Sequence, residues 1–143
     1  MEQFIVIGRG CNYATAFEIS LKVKELTYIS SEGYSEADFR HGPIAIVNSG
    51  FPVMLVAPQG KVFAQMADMQ EKLIERKAET LIVSNDADLL AKATRPLVIP
   101  DVPEWLSPIV GVIPGQVFAM QQALTRGLEV DKPRGLSKVT ITQ

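Results

Sequence analysis

Glu18, Lys22 and Glu25 stand at i, i+4 and i+7, and at ~100° per residue a helix gathers all three within about 60° of its circumference. Lys24 falls about 120° away from them. A solvated face of an amphipathic helix would show the same pattern, with a Glu18–Lys22 pair worth only ~0.2–0.5 kcal/mol. The narrowness of the stripe suggests more. Two carboxylates and an ammonium on one edge of an otherwise apolar helix can face a polar cavity, where a carboxylate can move protons at carbon if burial raises its pKa. His41, the one histidine, precedes Gly42-Pro43, a pair that stiffens the chain behind an imidazole suited to proton exchange near neutrality. A lone histidine is also often structural. Lys138 lies in a tail, Asp131-Lys132-Pro133-Arg134-Gly135-Leu136-Ser137-Lys138. Folded over a site, that amine could form an imine with a keto sugar or bind its oxygens electrostatically; left free, it is an ordinary basic terminus.

These groups must be positioned by the elements around them. Phe4-Ile5-Val6-Ile7, Pro52 to Ala57, Thr80 to Ser84 and Pro96 to Ile99 are short apolar runs ended by Gly, Pro or Asn. Between them, residues 13–27, 35–40, 62–77 and 88–94 read as helices, and Trp105 to Arg126 reads as a long buried helix stopped by Gly127. Strands without clean alternation, separated by helices, form parallel sheets covered on both faces. The expected fold is therefore a three-layer α/β/α sandwich, doubly wound, with ligands at the C-terminal ends of its strands. The loop Gly8-Arg9-Gly10-Cys11-Asn12 lacks the third glycine of a dinucleotide fingerprint and reads as a tight turn with a weak phosphate-loop option. Cys11 beside it, near a helix N-terminus, is read as incidental.

Composition narrows the function classes. The 143 residues, 47% apolar and 21% charged, suit one folded domain of residues 1–143. A net charge of −2 argues against nucleic-acid or polybasic membrane binding. One cysteine and one histidine offer no internal disulfide and no zinc cluster, so neither a metal nor a cofactor is expected. With no long apolar span or leader in view, a cytoplasmic location is expected. The segment 128–143 fits neither a helix nor a core strand and is expected to be an ordered arm.

The residues also carry a resemblance. Gly8-Arg9-Gly10 with Tyr13, Glu18 to Glu25, Glu32-Gly33-Tyr34, His41-Gly42-Pro43, Pro52-Val53, Val56-Ala57-Pro58, Glu104, Pro108, Pro114-Gly115-Gln116 and the tail through Lys138 resemble, in order and along nearly the whole chain, a sugar isomerase (SIS) domain. More narrowly, they resemble the C-terminal SIS half of the glucosamine-6-phosphate synthase family and its tandem-SIS deaminase relatives. The resemblance implies a five-stranded parallel sheet, Rossmann-like or flavodoxin-like, usually in a dimer. It implies that Glu25 shuttles a proton between C1 and C2 of a sugar phosphate, and that Lys138 forms an imine with the ketose. His41, reaching in from a neighbouring subunit, would help to open the sugar ring, and Glu18 and Lys22 would support Glu25. Arg134 and Ser137, beside the lysine, are expected to contact the substrate, a fructose 6-phosphate or glucosamine 6-phosphate type of molecule.

Two departures qualify this expectation. The phosphate-gripping Ser/Thr loops of the preceding SIS half are not in this chain, which suggests an excised C-terminal half whose activity alone is open. The glutaminase part of the synthase is also missing. Ser137 replaces an alanine common in the synthase, and the ending Lys138 to Gln143 is similar to the deaminases. A non-catalytic phosphosugar sensor is the reading from another class, though a sensor has no need of Glu25, His41 and Lys138 together.

Overall fold

The computed structural model describes residues 1–132, 134 and 135; Ser137, Lys138 and the later part of the expected arm lie outside the described residues. In chain order the elements are β1 (Gln3–Gly8), α1 (Asn12–Thr27), β2 (Ser30–Ser35), α2 (Glu36–Arg40), β3 (Pro52–Val56), α3 (Phe63–Glu75), β4 (Glu79–Ser84), α4 (Ala87–Ala91), β5 (Arg95–Val98) and α5 (Ser107–Thr125). Short 3-10 turns at Pro43–Ile46 and Glu104–Leu106 complete them. The five strands form one parallel sheet in the order β2-β1-β3-β4-β5. This is a doubly wound order whose connections reverse direction between β1 and β3.

Period-two alternation within the central strands sends side chains to two cores. Ile5, Ile7, Val53, Leu55 and Ile82 pack with Phe39, Met66, Met69, Leu73 and Leu89 under α2, α3 and α4. Phe4, Val6, Met54, Val56, Leu81 and Val83 pack with Ala16, Ile19, Val23 and Ala119 under α1 and α5. Phe4 stacks on Phe118 with ring centroids 5.0 Å apart. Both faces of each central strand are thus apolar, which is why the runs show no polar alternation.

Helix α1 is held on two sides. Gly115 of α5 faces Ile19 so closely that a Cβ there would collide with it, so the two axes approach further than side chains would permit. At their N-terminal ends, buried Asn12 donates through Nδ2 to Ser107 Oγ at 2.8 Å, and Ser107 Oγ donates to the Glu104 carbonyl at 2.7 Å. The orientation of α1, and of every charge along it, is set by these contacts.

One strand lies outside the apolar runs, and one expectation needs correction. The segment Ser30–Ser35 gives no apolar run, yet it is a strand. It lies at the sheet edge, where only Ser31 is buried, and pairs with β1 from Gln3↔Ser30 to Gly8↔Ser35. Helix α5 is not buried all round: Trp105 just before it is 73% exposed, and Ile109, Ile113 and Val117 are also open. Tyr13, Phe17 and Leu21 of α1 are exposed as well. Apolarity on every side of a helix does not require burial on every side; among the described residues these side chains of α1 and α5 stay exposed. No described helix is long and apolar enough to cross a membrane.

Candidate active site

The charged stripe of α1 is assembled as its spacing requires. Lys22 Nζ donates to Glu25 Oε2 at 2.8 Å and stands 3.9 Å from Glu18 Oε1, so one ammonium links both carboxylates. All three side chains are partly exposed. The hydrogen bond to Glu25 raises the Lys22 pKa above its ordinary value. Partial burial works against that shift, and the charges of Glu25 and Glu18 add to it. The ammonium therefore stays charged at neutral pH. Glu25 Oε1 makes no hydrogen bond among the described residues, which leaves one carboxylate oxygen available to a reacting group.

Helix α1 starts at the C-terminal end of β1 and runs back along the sheet. Glu25 therefore lies ~20 Å along the axis from the strand-end loops, at ~1.5 Å per residue. The stripe ends at the C-cap of the helix, Tyr28, whose backbone is left-handed (φ 59°, ψ 17°) and whose N–H bonds to the Lys24 carbonyl. The tail returns to this point. The Arg134 N–H donates to Tyr28 Oη at 2.7 Å, and the Arg134 guanidinium carbon lies 4.0 Å from the Tyr28 ring centroid.

His41 sits elsewhere. It caps the C-terminal end of α2, with its backbone N–H bonded to the Asp38 carbonyl at 3.1 Å, and it is exposed. Among the described residues no hydrogen bond or ion pair joins its side chain to Glu18, Lys22 or Glu25. The structure thus brings together Glu18, Lys22 and Glu25, places Arg134 near the end of their helix, and keeps His41 on a separate surface.

Sequence reasoning missed one cluster. Glu36, wholly buried at the start of α2, accepts hydrogen bonds from Arg9 Nη1 and from Arg40 Nε. Arg40 also donates through Nη1 to Asp68 Oδ2 at 2.6 Å and through Nη2 to the Gln65 carbonyl at 3.1 Å. Burial would lower the Arg40 pKa, but the hydrogen bonds to Glu36 and Asp68 outweigh it and raise the value. The Arg40 hydrogen bond in turn holds Asp68 below the usual carboxylate range. Glu36 and Arg40 at i, i+4 were a visible signal; the long-range partner Arg9 was not. The cluster ties the β1–α1 loop, α2 and α3 together and holds the backbone from which His41 projects. It also gives the Arg9 loop a structural role.

Comparison with known proteins gives these features a family. The SIS domain profile matches residues 2–126. A glutamine–fructose-6-phosphate aminotransferase (isomerizing) of Thermococcus kodakarensis is 43% identical over 136 residues, covering 94% of this chain and 22% of that protein. The C-terminal domain of glucosamine-fructose-6-phosphate aminotransferase from Francisella tularensis superposes with a TM-score of 0.83 at 27% identity, covering 92% of this chain and 38% of that one. Glucosamine-6-phosphate deaminase from Thermotoga maritima gives 0.80 at 28% identity, covering 99% and 41%. The chain therefore spans less than a quarter of the curated aminotransferase it matches. With its doubly wound sheet and the profile match over most of its length, this chain belongs to the SIS domain family.

Proposed function

We propose that this chain is the isomerase half of an amino-sugar phosphate enzyme. In this reading it interconverts ketose and aldose forms between fructose 6-phosphate and glucosamine 6-phosphate. The observation that carries the proposal is Glu25, held through one oxygen by Lys22 with the other available, in a chain 43% identical to an isomerizing aminotransferase. The Lys138 amine adds to the C2 carbonyl of the open ketose and water leaves, giving an imine. Ammonia displaces the lysine. Glu25 then takes a proton from C1 and returns it to C2 while the C1 hydroxyl gives up its proton and the imine nitrogen gains one, so the imine becomes an aldose bearing the amine with no net change in protons. Lys22 and Glu18 keep the Glu25 side chain in place. Ser137 and the N–H edge of Arg134 donate to sugar oxygens; stacking on Tyr28 covers only the guanidinium face.

The partners follow from what this chain leaves open. A preceding SIS half of the same polypeptide would grip the phosphate, and the apolar surface of Phe17, Leu21, Ile109 and Ile113 suits packing against such a domain or a second copy. The exposure of His41 suits ring opening in the site of a neighbouring copy. The deaminase direction uses the same residues in reverse and is supported by the likeness to the Thermotoga maritima enzyme along 99% of this chain.

The test is chemical trapping. Full-length protein is treated with fructose 6-phosphate and borohydride, and its peptides are analysed by mass spectrometry. A reduced adduct on Lys138, suppressed by excess glucosamine 6-phosphate, is the expected result. Labelling spread over surface lysines, or none, would refute the imine step.

A further inference from the structure

Helices commonly end on glycine or asparagine in the left-handed region, and a bulky side chain is rare there. Helix α1 ends on Tyr28 at φ 59°. A backbone that glycine would adopt freely is here given to an aromatic ring, and such a residue persists where its side chain is needed. What the ring does is visible. It receives Arg134 twice: the backbone N–H reaches the phenol oxygen at 2.7 Å, and the guanidinium lies over the ring face at 4.0 Å, within cation–π distance. Edge and face contacts from one residue fix both the position and the orientation of the tail at that point. The Arg134 N–H also lowers the Tyr28 pKa from its ordinary value, as a hydrogen bond onto the phenol oxygen should.

We infer that Tyr28 is a positioning residue, the anchor that fastens the C-terminal tail to the end of α1 so that the imine-forming lysine works beside Glu25. The inference rests on the proposed imine chemistry. The geometry behind it is short-range. Tyr28 follows Glu25 by three residues, ~4.5 Å of helix rise. Arg134 precedes Lys138 by four residues, at most ~14 Å of extended chain. An anchor at Arg134 therefore limits how far from the end of α1 the lysine backbone can lie, whatever path the intervening residues take. Tyr28 touches no reacting atom in this scheme; it acts through the tail.

Trypsin reads the anchor directly, since Arg134 stacked on a ring does not enter a protease pocket. In full-length protein the Arg134–Gly135 bond is expected to be cleaved about tenfold faster in Tyr28→Leu than in the native chain, and by an intermediate factor in Tyr28→Phe, which keeps the ring and loses the oxygen. Cleavage after exposed Arg76 should be unchanged, reporting an intact fold. In the same proteins, the rate of borohydride-trapped fructose 6-phosphate adduct at Lys138 should fall in the same order, and a saturating sugar concentration should not restore it. Equal cleavage at Arg134 in Tyr28→Leu and the native chain would overturn the anchor. Faster cleavage with an unchanged adduct rate would overturn its positioning role. Tyr28-dependent cleavage with no adduct in the native protein would instead remove the imine reading, and the positioning role with it, leaving a structural clasp.

Discussion

A buried carboxylate that accepts from two guanidinium groups is costly to strip of its charge, because a buried neutral amide then replaces the anion that both cations face. Glu36 is in that position between Arg9 and Arg40. Replacing Glu36 with Gln should destabilise the fold by ~1–3 kcal/mol, seen as a lower denaturant midpoint with the slope unchanged. A loss within a few tenths of a kcal/mol would show that Asp68 alone satisfies Arg40. The stripe on α1 differs in kind. Its groups are partly exposed, so their pairing is worth little to stability, and their arrangement fits the role proposed for Glu25. The stripe was legible from spacing because i, i+4 and i+7 must share a face. Arg9–Glu36 and Tyr28–Arg134 were not, because each joins residues that only the folded chain brings together.

At the scale of elements, α1 is the part that must not move. Gly115→Ala would push a methyl into Ile19 and force α1 from α5, at a cost of ~1–3 kcal/mol; thermal unfolding should show a clear drop in Tm, and no drop would mean that the helices have slack. The short helix α4 depends on its cap. Asp86 Oδ1 accepts the Leu89 N–H at 2.9 Å, and Oδ2 accepts a Gln59 side-chain N–H at 3.0 Å. The Leu89 N–H first, then Gln59, hold the Asp86 pKa below its ordinary 3.8. A depressed carboxylate stabilises the fold above 3.8 and loses that contribution as pH falls through its lower folded value. Asp86→Ala should therefore cost ~1 kcal/mol at neutral pH, with the gap from the native chain closing below 3.8. A gap independent of pH would place the effect outside the carboxylate. β1, β3 and β4 were legible as apolar runs because both their faces are buried; β5 was legible from Pro96-Leu97-Val98-Ile99 although it is an edge strand with Arg95, Pro96 and Val98 exposed. β2 was not, since an edge strand of Ser, Glu, Gly and Tyr has no run to show and is recognised only by its ladder to β1.

For the whole molecule, the open face of α1 and α5 is the main unbalanced feature. Phe17 and Leu21 of α1 and Ile109 and Ile113 of α5 are exposed, and hydrophobicity around α5 could not show in sequence which of its sides stays open. In the proposed reading, where copies of the chain pack through this side of α5, Ile113→Lys should shift the chain towards monomer by sedimentation velocity while leaving its circular dichroism unchanged. An unchanged sedimentation coefficient in a chain already assembled would move the contact to another surface.

In the proposed reaction Glu25 moves a proton between adjacent sugar carbons. The test is Glu25→Gln in the full-length protein, followed by solvent deuterium incorporation at C1 and C2 of the sugar phosphate. The amide keeps the shape and can still accept from Lys22, but it cannot take the proton. Exchange and isomerisation should fall by at least about a hundredfold, with sugar affinity changed little. Exchange at the native rate would contradict the account and assign the proton to another group.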